Sequence, residues 1–394
     1  MRTIRRRMQA AALLAAALTL GLLGCDQLVK TLDPEPEPSA TLKIGFIQPS
    51  GYFNGFSAGA ELARQELNRQ GGVLGRQIEF IYRDNQGADI FPSGEATVQA
   101  AQELIADEGV FALLGVMFSA NAIELAEITA QTETILVTNA TSAPVSASSE
   151  YVFLVAPTTS AQGVELAKFA ASAKNLDAQT AALLLQADDL YSNILADSFT
   201  ANFEALGGTV AARASYEVGS RDFSEPIGRI LAANPDVILA TSFAPEVPLA
   251  IQQAREAGYE GDFIGGSGWF VPDDFLNTLD DNAPLNGSFF TSNYSGGAPS
   301  AGVQHFVRLY EAVYGEPPSG KAPKGYDAMT LLAQAIERAG SLDSRAVRDA
   351  LAAATDYEGA TSIVRFNEDR QPVKAIVLQT IQDGEMRFYQ LLTP

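Results

Sequence analysis

The chain has 394 residues, of which 47% are hydrophobic and 19% charged, and this composition predicts about two folded domains rather than a disordered or polytopic membrane chain. With 26 Lys and Arg against 47 Asp and Glu, the formal net charge is −21, which argues against nucleic acid as a partner. One Cys excludes an intrachain disulfide and a cysteine metal cluster, and one His leaves His305 as the only candidate for a histidine base.

Residues 1–24 are typical of an export signal. Arginines near the start precede an apolar run over 10–23, which is too short to span a bilayer comfortably. The run ends in Leu-Leu-Gly-Cys at 22–25, which resembles a bacterial lipobox and predicts a lipid on Cys25. The alternative is an ordinary signal peptide with an incidental Cys. Prolines make residues 25–40 an extended tether, so we expect an extracytoplasmic protein, in the periplasm or on the cell surface, anchored to a membrane through Cys25.

After the tether, short apolar strands alternate with amphipathic helices. Strands are predicted over 42–47, 77–82, 110–114 and 134–138, and helices over 56–69, 93–106 and to about 131. The same order returns from residue 180, with strands over 181–185, 209–216, 236–240 and 263–264 and helices between them. The alternation indicates parallel sheets covered by helices on both faces. Its repetition predicts two similar α/β lobes with doubly wound, Rossmann-like sheets.

The pattern changes towards the end of the chain. A strand is predicted over 286–292, helices over 305–314, 324–339 and 344–353, and strands over 362–366, 373–381 and 387–392. These elements add to one lobe or the other. We therefore expect the chain to cross between the lobes more than once.

Three loops in each lobe follow the carboxyl ends of predicted strands, where open parallel sheets bind ligands. If the lobes face each other, these six loops line one cleft at a domain interface. Their aromatic side chains are Tyr52, Phe53, Phe118, Tyr191, Phe243 and Trp269. Their hydroxyl and amide side chains are Ser119, Asn121, Asn139, Thr141, Ser142 and Ser267. Structural alternatives exist, because Ser119 and Ser192 also suit helix N-caps and the phenylalanines also suit the core.

Signals for catalysis are weak. The segment 265–269 resembles the Gly-x-Ser-x-Gly turn of hydrolases around Ser267, but Trp269 stands at its last position. The only histidine, His305, shares its predicted helix with Phe306 and suits a surface or packing position. No Gly-x-Gly-x-x-Gly fingerprint and no metal-ligand spacing occurs in the sequence. A serine hydrolase is therefore the least favoured alternative, and neither a cofactor nor a metal is expected.

Residues 42 to about 390 resemble the leucine/isoleucine/valine-binding proteins, which are type I periplasmic substrate-binding proteins of ABC transporters. The resemblance lies in 42–49, 58–83, 139–144, 151–163, 253–258 and 336–351, and most specifically in Gly-Gly-Val-Leu-Gly-Arg at 71–76 and Gly-Tyr-Asp-Ala at 325–328. It implies two lobes joined by a three-segment hinge. The first lobe would contain residues 41–158 and 293–356, and the second lobe residues 159–292 and 357–394. It also implies a monomer that closes on a small molecule and docks on an ABC permease, and not an enzyme. A ligand-sensing module for a membrane receptor is the alternative.

The resemblance also implies roles for individual residues. Ser119 would hold the carboxylate of an α-amino acid. The loop Ala140-Thr141-Ser142 would supply a backbone carbonyl to the ammonium group and a hydroxyl to the carboxylate. Tyr191 and Phe243 match aromatic positions of the second lobe.

Ser267 departs from the family pattern. It stands where amino-acid binders place Asp or Glu, and a neutral Ser cannot balance a buried ammonium group. Asp188 and Asp189 lie in a neighbouring loop and could compensate. We therefore expect the ligand to be an amino acid or a related carboxylate or amide, with Tyr52 and Trp269 completing the site.

Overall fold

The computed structural model describes residues 41–48, 55–85, 93–116, 118–269 and 275–392. The predictions for the signal peptide, Cys25, the tether, Tyr52 and Phe53 lie outside the described residues. Across the described ranges, no helix combines the length and the apolarity that crossing a membrane requires.

The first lobe contains a five-stranded, wholly parallel sheet. Its elements are β1 (Leu42–Ile47), α1 (Gly55–Arg69), β2 (Ile78–Arg83), α2 (Gly94–Gln102), β3 (Ala112–Gly115), α3 (Ser119–Glu124), α4 (Ala126–Thr132), β4 (Ile135–Thr138), α5 (Pro144–Ala147) and β5 (Val152–Leu154). The strand order is β2-β1-β3-β4-β5. Because all neighbouring strands are parallel, their carboxyl ends meet at one edge of the sheet.

Helices cover both faces of this sheet, which explains why its central strands are almost continuously apolar. In β1, Ile44 and Phe46 enter the core on one face, whereas Ile47 enters the core on the other face. Side chains of a strand alternate between the two faces, so each face of the sheet has its own hydrophobic core. Two glycines, Gly71 and Gly72, end α1 in left-handed backbone conformations, as the sequence predicts.

The second lobe has a seven-stranded sheet with an antiparallel hairpin at one edge. Its elements are α6 (Thr159–Ala171), β6 (Thr180–Gln186), α7 (Leu190–Ala205), β7 (Thr209–Tyr216), α8 (Ser224–Leu231), β8 (Val237–Ala240), α9 (Glu246–Glu256), β9 (Asp262–Gly265), β10 (Ser288–Ser292), β14 (Ile376–Gln382) and β15 (Glu385–Leu392). The strand order is β15-β14-β10-β9-β8-β6-β7. Strands β6 to β10 are parallel, and β14 runs antiparallel to β10. The doubly wound α/β fold class is thereby confirmed.

The remaining elements return to the first lobe. They are α10 (Ala301–Tyr314), α11 (Ala322–Ala339), α12 (Ser344–Ala352), β11 (Thr355–Tyr357), β12 (Ile363–Phe366) and β13 (Pro372–Val373). Phe306 of α10 and Leu332 of α11 share the core that contains Phe46. The longest of these helices, α11, packs along α1.

The third crossing between the lobes lies later than the sequence analysis put it. Residues 357–394 were assigned to the second lobe, but Tyr357, Ile363 and Phe366 pack in the core of the first lobe. The ring of Phe366 meets that of Phe153 edge-on at 5.6 Å. The predicted boundary is too early because residues 355–373 form the small antiparallel sheet β11-β12-β13 instead of joining the sheet of the second lobe. The sequence of a short apolar strand does not indicate which sheet the strand joins. The chain crosses between Val373 and Ile376.

Candidate ligand-binding site

Two loops of the first lobe are tied together at the carboxyl edge of its sheet. The Thr138 hydroxyl donates to the Val116 carbonyl at 2.6 Å, and the Ala140 N–H donates to the Thr138 oxygen at 3.1 Å. Further along, the Ser142 N–H donates to the Ser119 oxygen at 3.3 Å. The structure thus brings Ser119, Ala140 and Ser142 together. The Ser119 hydroxyl donates to no other described residue, so its proton is available to a ligand.

Unpartnered amide oxygens lie at the same edge. The side-chain oxygens of Gln48, Asn85 and Asn139 are buried and accept no hydrogen bond within the part of the chain that the structure describes. Gln48 directly follows β1, Asn85 follows β2 by two residues, and Asn139 directly follows β4. A buried acceptor without a partner costs roughly 1–3 kcal/mol. Water or a ligand with N–H or O–H groups would relieve that cost.

Thr141 lies next to the first crossing between the lobes. Its carbonyl accepts the Thr159 N–H at 3.1 Å, and its hydroxyl oxygen accepts the Thr159 hydroxyl at 3.3 Å. Thr159 begins α6, which packs on α7 in the second lobe. Thr141 therefore connects the loop after β4 to the crossing. Asn121 turns inward instead, and its amide donates to the Thr97 oxygen at 3.4 Å.

In the second lobe, Tyr191 and Phe243 form an aromatic pair with ring centres 5.1 Å apart. The Tyr191 hydroxyl oxygen accepts the Gly268 N–H at 3.0 Å, which fixes the ring against the loop after β9. Burial raises the pKa of Tyr191 to about 12, further above physiological pH than the ordinary tyrosine value. Phe243 is 37% exposed, so part of its ring faces solvent. The pair presents an apolar surface with a polar edge.

Ser267 is held by its backbone. Its N–H donates to the Gln162 Oε1 at 2.9 Å, and the same oxygen accepts the Thr291 hydroxyl at 2.9 Å. The buried Gln162 amide nitrogen donates to no described residue. Ser267 itself is half-buried and brings no charge to the loop. Gln162 carries no signal in the sequence, because its contacts are with residues more than 100 positions away.

Asp189 is committed to helix capping. Its Oδ1 accepts the Ser192 N–H at 2.6 Å at the start of α7. The expectation that Ser192 is itself an N-cap is wrong, because its hydroxyl is buried against Thr241 and accepts the Gln186 N–H at 3.1 Å. Asp188 is exposed. One oxygen of Asp189 is therefore engaged in the cap, and both Asp188 and Asp189 of this loop bring a carboxylate to the carboxyl edge of the sheet.

Trp269 lies in the core of the second lobe rather than at the surface of its loop. It is 0% exposed, its ring stacks on Phe275 at 5.1 Å, and its indole N–H donates to the Ala240 carbonyl at 3.1 Å. Both the apolar ring and the polar N–H are therefore satisfied inside the lobe. The expectation that Trp269 completes the ligand site is therefore wrong, because its side chain is buried in the core of the second lobe.

His305 does not meet Ser267. It is exposed on α10, and its Nε2 lies 3.1 Å from the Glu66 carboxylate. Glu66 is eleven residues from the start of α1, or roughly 16 Å along the helix from the carboxyl edge. Ser267 has no histidine partner for nucleophilic catalysis. Within the described ranges, no group of three His, Cys, Asp or Glu side chains is arranged to hold a metal ion.

Buried charges connect two of the crossings. Asp327 on α11 is completely buried and accepts the Ala360 and Thr361 N–H groups, each at 2.7 Å. Lys374, 3% exposed, donates to the Val155 carbonyl at 3.2 Å and also to the Thr361 hydroxyl. Val155 follows β5 at the first crossing, and Lys374 precedes β14 at the third. This network fixes the two hinge segments to the first lobe.

The sequence matches the family model described as periplasmic binding protein over residues 41–385. Among known relatives, a Leu/Ile/Val-binding protein, BraC3, of Rhizobium johnstonii is 27% identical over 349 residues, covering 86% of this chain and 91% of the relative. A leucine-, isoleucine-, valine-, threonine- and alanine-binding protein of Pseudomonas aeruginosa is 26% identical, covering 83% of this chain and 86% of the relative. The family model spans nearly all of the described residues.

Solved structures agree with the sequence matches. The leucine-binding protein LivK of Thermotoga maritima superposes with a TM-score of 0.76 at 28% identity, covering 90% of this chain and 99% of that one. LivJ of Streptococcus pneumoniae, solved in complex with isoleucine, gives a TM-score of 0.77 at 25% identity, covering 90% and 100%. The chain therefore belongs to the periplasmic binding protein family, as a type I substrate-binding protein of the leucine/isoleucine/valine-binding group of ABC transporters and not an enzyme.

Proposed function

We propose that this protein captures a small solute outside the cytoplasm by closing its two lobes, and that the closed form delivers the solute to an ABC permease. The observation that carries the proposal is the placement of functional groups on both lobes at the carboxyl edges of their sheets. The first lobe offers Ser119 and Ser142, and the second offers Tyr191 and Phe243. A solute that touches both sets stabilises the closed form by its differential affinity.

The first lobe suits a carboxylate on the solute. The Ser119 hydroxyl can donate to it, and the Ser142 backbone N–H holds the Ser119 oxygen in place. Charge-assisted hydrogen bonds of this kind are about twice as strong as neutral ones. Tyr191 and Phe243 would cover the apolar part of the solute, and Ala140 would offer its carbonyl.

The neutral Ser267 bears on whether the solute carries an ammonium group. The relatives are named for branched-chain and other neutral amino acids, which carry an ammonium group. Here Ser267 is neutral, so the loop after β9 brings no charge of its own to balance that group, and Asp188 and Asp189 lie in a neighbouring loop. We therefore place carboxylates and amides beside amino acids as candidate solutes.

We also propose that a lipid on Cys25 holds the protein to a membrane, with residues 25–40 as a spacer, and that the protein acts as a monomer. The Leu-Leu-Gly-Cys motif supports the lipid anchor. Replacing Cys25 with Ala should move the protein from the membrane fraction to the soluble extracytoplasmic fraction. Retention of the Cys25→Ala variant in the membrane would contradict the anchor.

A thermal-shift screen of the purified protein tests the proposed capture. Amino acids, amides and carboxylates are added at saturating concentrations, because a ligand that binds only the folded state raises the Tm by mass action. We expect at least one class to raise the Tm in the unchanged protein and to do so less in Ser119→Ala. Equal shifts in both proteins would place the solute elsewhere.

A further inference from the structure

A buried lysine lies at the same edge of the first lobe. Lys324 is in the first turn of α11, and the start of α11 lies against the start of α1. A Cβ on Gly59 would overlap the Ala322 carbonyl, and one on Gly325 would overlap the Phe56 carbonyl, so only glycine permits this approach. Because α1 follows β1, both helices begin at the carboxyl edge of the sheet. Lys324 is thereby placed at the cleft side of the lobe.

Lys324 lacks a counter-charge. It is 8% exposed, and its ammonium group makes no hydrogen bond with any described residue. The charged groups acting on it are Lys321, just before the helix, and Lys374, in the third crossing. Burial, followed by the repulsion from these two lysines, lowers the pKa of Lys324 to about 7.

The nearby acids of helices α1 and α11 are engaged with other groups. Asp327, also on α11, receives hydrogen bonds from Tyr357, Ala360 and Thr361 and is paired electrostatically with Lys374. On α1, Glu61 forms an ion pair with Arg64 at 2.5 Å. Glu66, also on α1, contacts Tyr326 at 2.5 Å and His305 at 3.1 Å.

The position itself favours an anion. A helix N-terminus carries the positive end of the helix dipole, and two long helices, α1 with 15 residues and α11 with 18, begin here. An ammonium group without a counter-charge is unfavourable here for two reasons. Burial removes its hydration, and the positive ends of the two helix dipoles repel it. An anionic group bound beside Lys324 would reverse both effects.

Lys324 and Ser119 approach the sheet edge from opposite faces. Helix α11 contributes Leu331 and Leu332 to the core on one face, whereas Ala122 of α3 contributes to the core on the other face. The edge therefore has one anion-favouring position on each side. Two such positions suit two acidic groups on one molecule.

We propose that Lys324 is an anion-binding subsite of the cleft and that the captured solute is a small dicarboxylate without an α-ammonium group. One carboxylate meets Ser119 and Ser142, and the other meets Lys324. This inference rests on the proposed capture of a solute between the lobes. It also accounts for Ser267, because a solute without an ammonium group needs no acid there.

Selective acetylation tests whether Lys324 is open to the cleft. The purified protein is treated with limiting acetic anhydride at pH 7, and each lysine is followed by peptide mass spectrometry. Lys374 is the matched control, since it is also buried but is bonded to Val155 and Thr361. We expect Lys324 to react at least tenfold faster than Lys374, and glutarate or adipate to protect it. Equally slow labelling of both, or absence of protection by every dicarboxylate, overturns the proposal.

Binding measurements then separate the subsite from the capture function. Glutarate and adipate are compared with pentanoate and L-leucine in the unchanged protein, Lys324→Gln, Lys324→Arg and Lys321→Gln. We expect Lys324→Gln to lose about 10- to 100-fold in dicarboxylate affinity, Lys324→Arg to lose less, and Lys321→Gln, which removes the same charge nearby, to change little. Binding of pentanoate or leucine but of no dicarboxylate would overturn the subsite while leaving the capture function intact.

Discussion

Ser142 donates its backbone N–H to the Ser119 oxygen at 3.3 Å, although 23 residues separate them in the chain. The contact joins the loop after β4 to the start of α3. It orients the Ser119 oxygen as an acceptor and leaves its proton for a solute. The two serines thus form the polar part of the proposed site in the first lobe, opposite the aromatic pair of the second.

Removing the Ser119 hydroxyl should weaken solute binding. In Ser119→Ala we expect a loss of about 1–3 kcal/mol in binding free energy, because a buried carboxylate would lose a hydrogen bond. Isothermal titration calorimetry with a solute found in the screen measures it. Ser341→Ala is the control, since Ser341 lies beyond the far end of α11. Unchanged affinity in Ser119→Ala would remove this residue from the site.

Truncating Phe243 should affect binding more than stability. Its ring is 37% exposed, so Phe243→Ala loses only part of the burial that a core phenylalanine has, and we expect a small change in Tm. The solute should lose the apolar surface formed with Tyr191, and its affinity should fall by about tenfold. Leu206→Ala, an exposed apolar residue at the other end of α7, should leave affinity unchanged. A large loss of Tm with normal affinity would assign Phe243 to the core.

Neutralising Asp327 should destabilise the hinge. The carboxylate is completely buried and accepts hydrogen bonds from Tyr357, Ala360 and Thr361, so Asp327→Asn leaves donors unpaired and Lys374 without its counter-charge. We expect the free energy of unfolding to fall by about 3–5 kcal/mol. Urea denaturation followed by circular dichroism measures this, with the exposed Asp349→Asn as control. A loss below about 1 kcal/mol would show that the network is dispensable.

Replacing Lys324 with Met should stabilise the solute-free protein at low pH. The pKa of Lys324 is lowered to about 7 in the folded state, whereas the ordinary lysine value is 10.5. Below pH 7 both states bind the proton and the folded state carries the full cost of the buried charge. Between pH 7 and 10.5 the unfolded state binds more protons, so stability rises with pH and the cost disappears.

We therefore expect Lys324→Met to raise the free energy of unfolding by about 1–4 kcal/mol at pH 6. The advantage should shrink steadily towards pH 10. Thermal melts of both proteins across this range check the prediction, and Lys321→Met controls for the change in net charge. A destabilised Lys324→Met variant at pH 6 would mean that the lysine has a stabilising partner.

Elements with strong periodicity could be predicted from the sequence. The predicted strands over 42–47 and 209–216 have the bounds of β1 and β7, and the helix predicted over 56–69 differs from α1 by one residue. Apolar strands bounded by turn residues and a helix ending at Gly71 explain this success. The repeated order of these strands and helices was sufficient to predict two α/β lobes.

Short or weakly patterned elements could not be predicted. β5 has three residues, and α6 contains small and polar residues that do not mark one face, so neither was recognised. The helix predicted over 93–106 ends in a π-helical turn over Glu103–Asp107. Spacing alone does not indicate such a turn.

The site was only partly predictable for a similar reason. The loops at the carboxyl edges follow from the order of strands and helices, and Ser119, Ser142, Tyr191 and Phe243 lie in those loops; their role in binding stays a prediction. Burial of individual side chains depends on packing between distant segments. Trp269 therefore proved to be a core residue, and Lys324 was not recognised as a buried charge.

The most direct test of solute capture between the lobes is a crystal structure of the protein with a solute identified in the screen. We expect the solute to contact Ser119 or Ser142 on the first lobe and Tyr191 or Phe243 on the second in the same complex. A solute that contacts one lobe alone, or that binds away from the carboxyl edges of both sheets, would contradict the account.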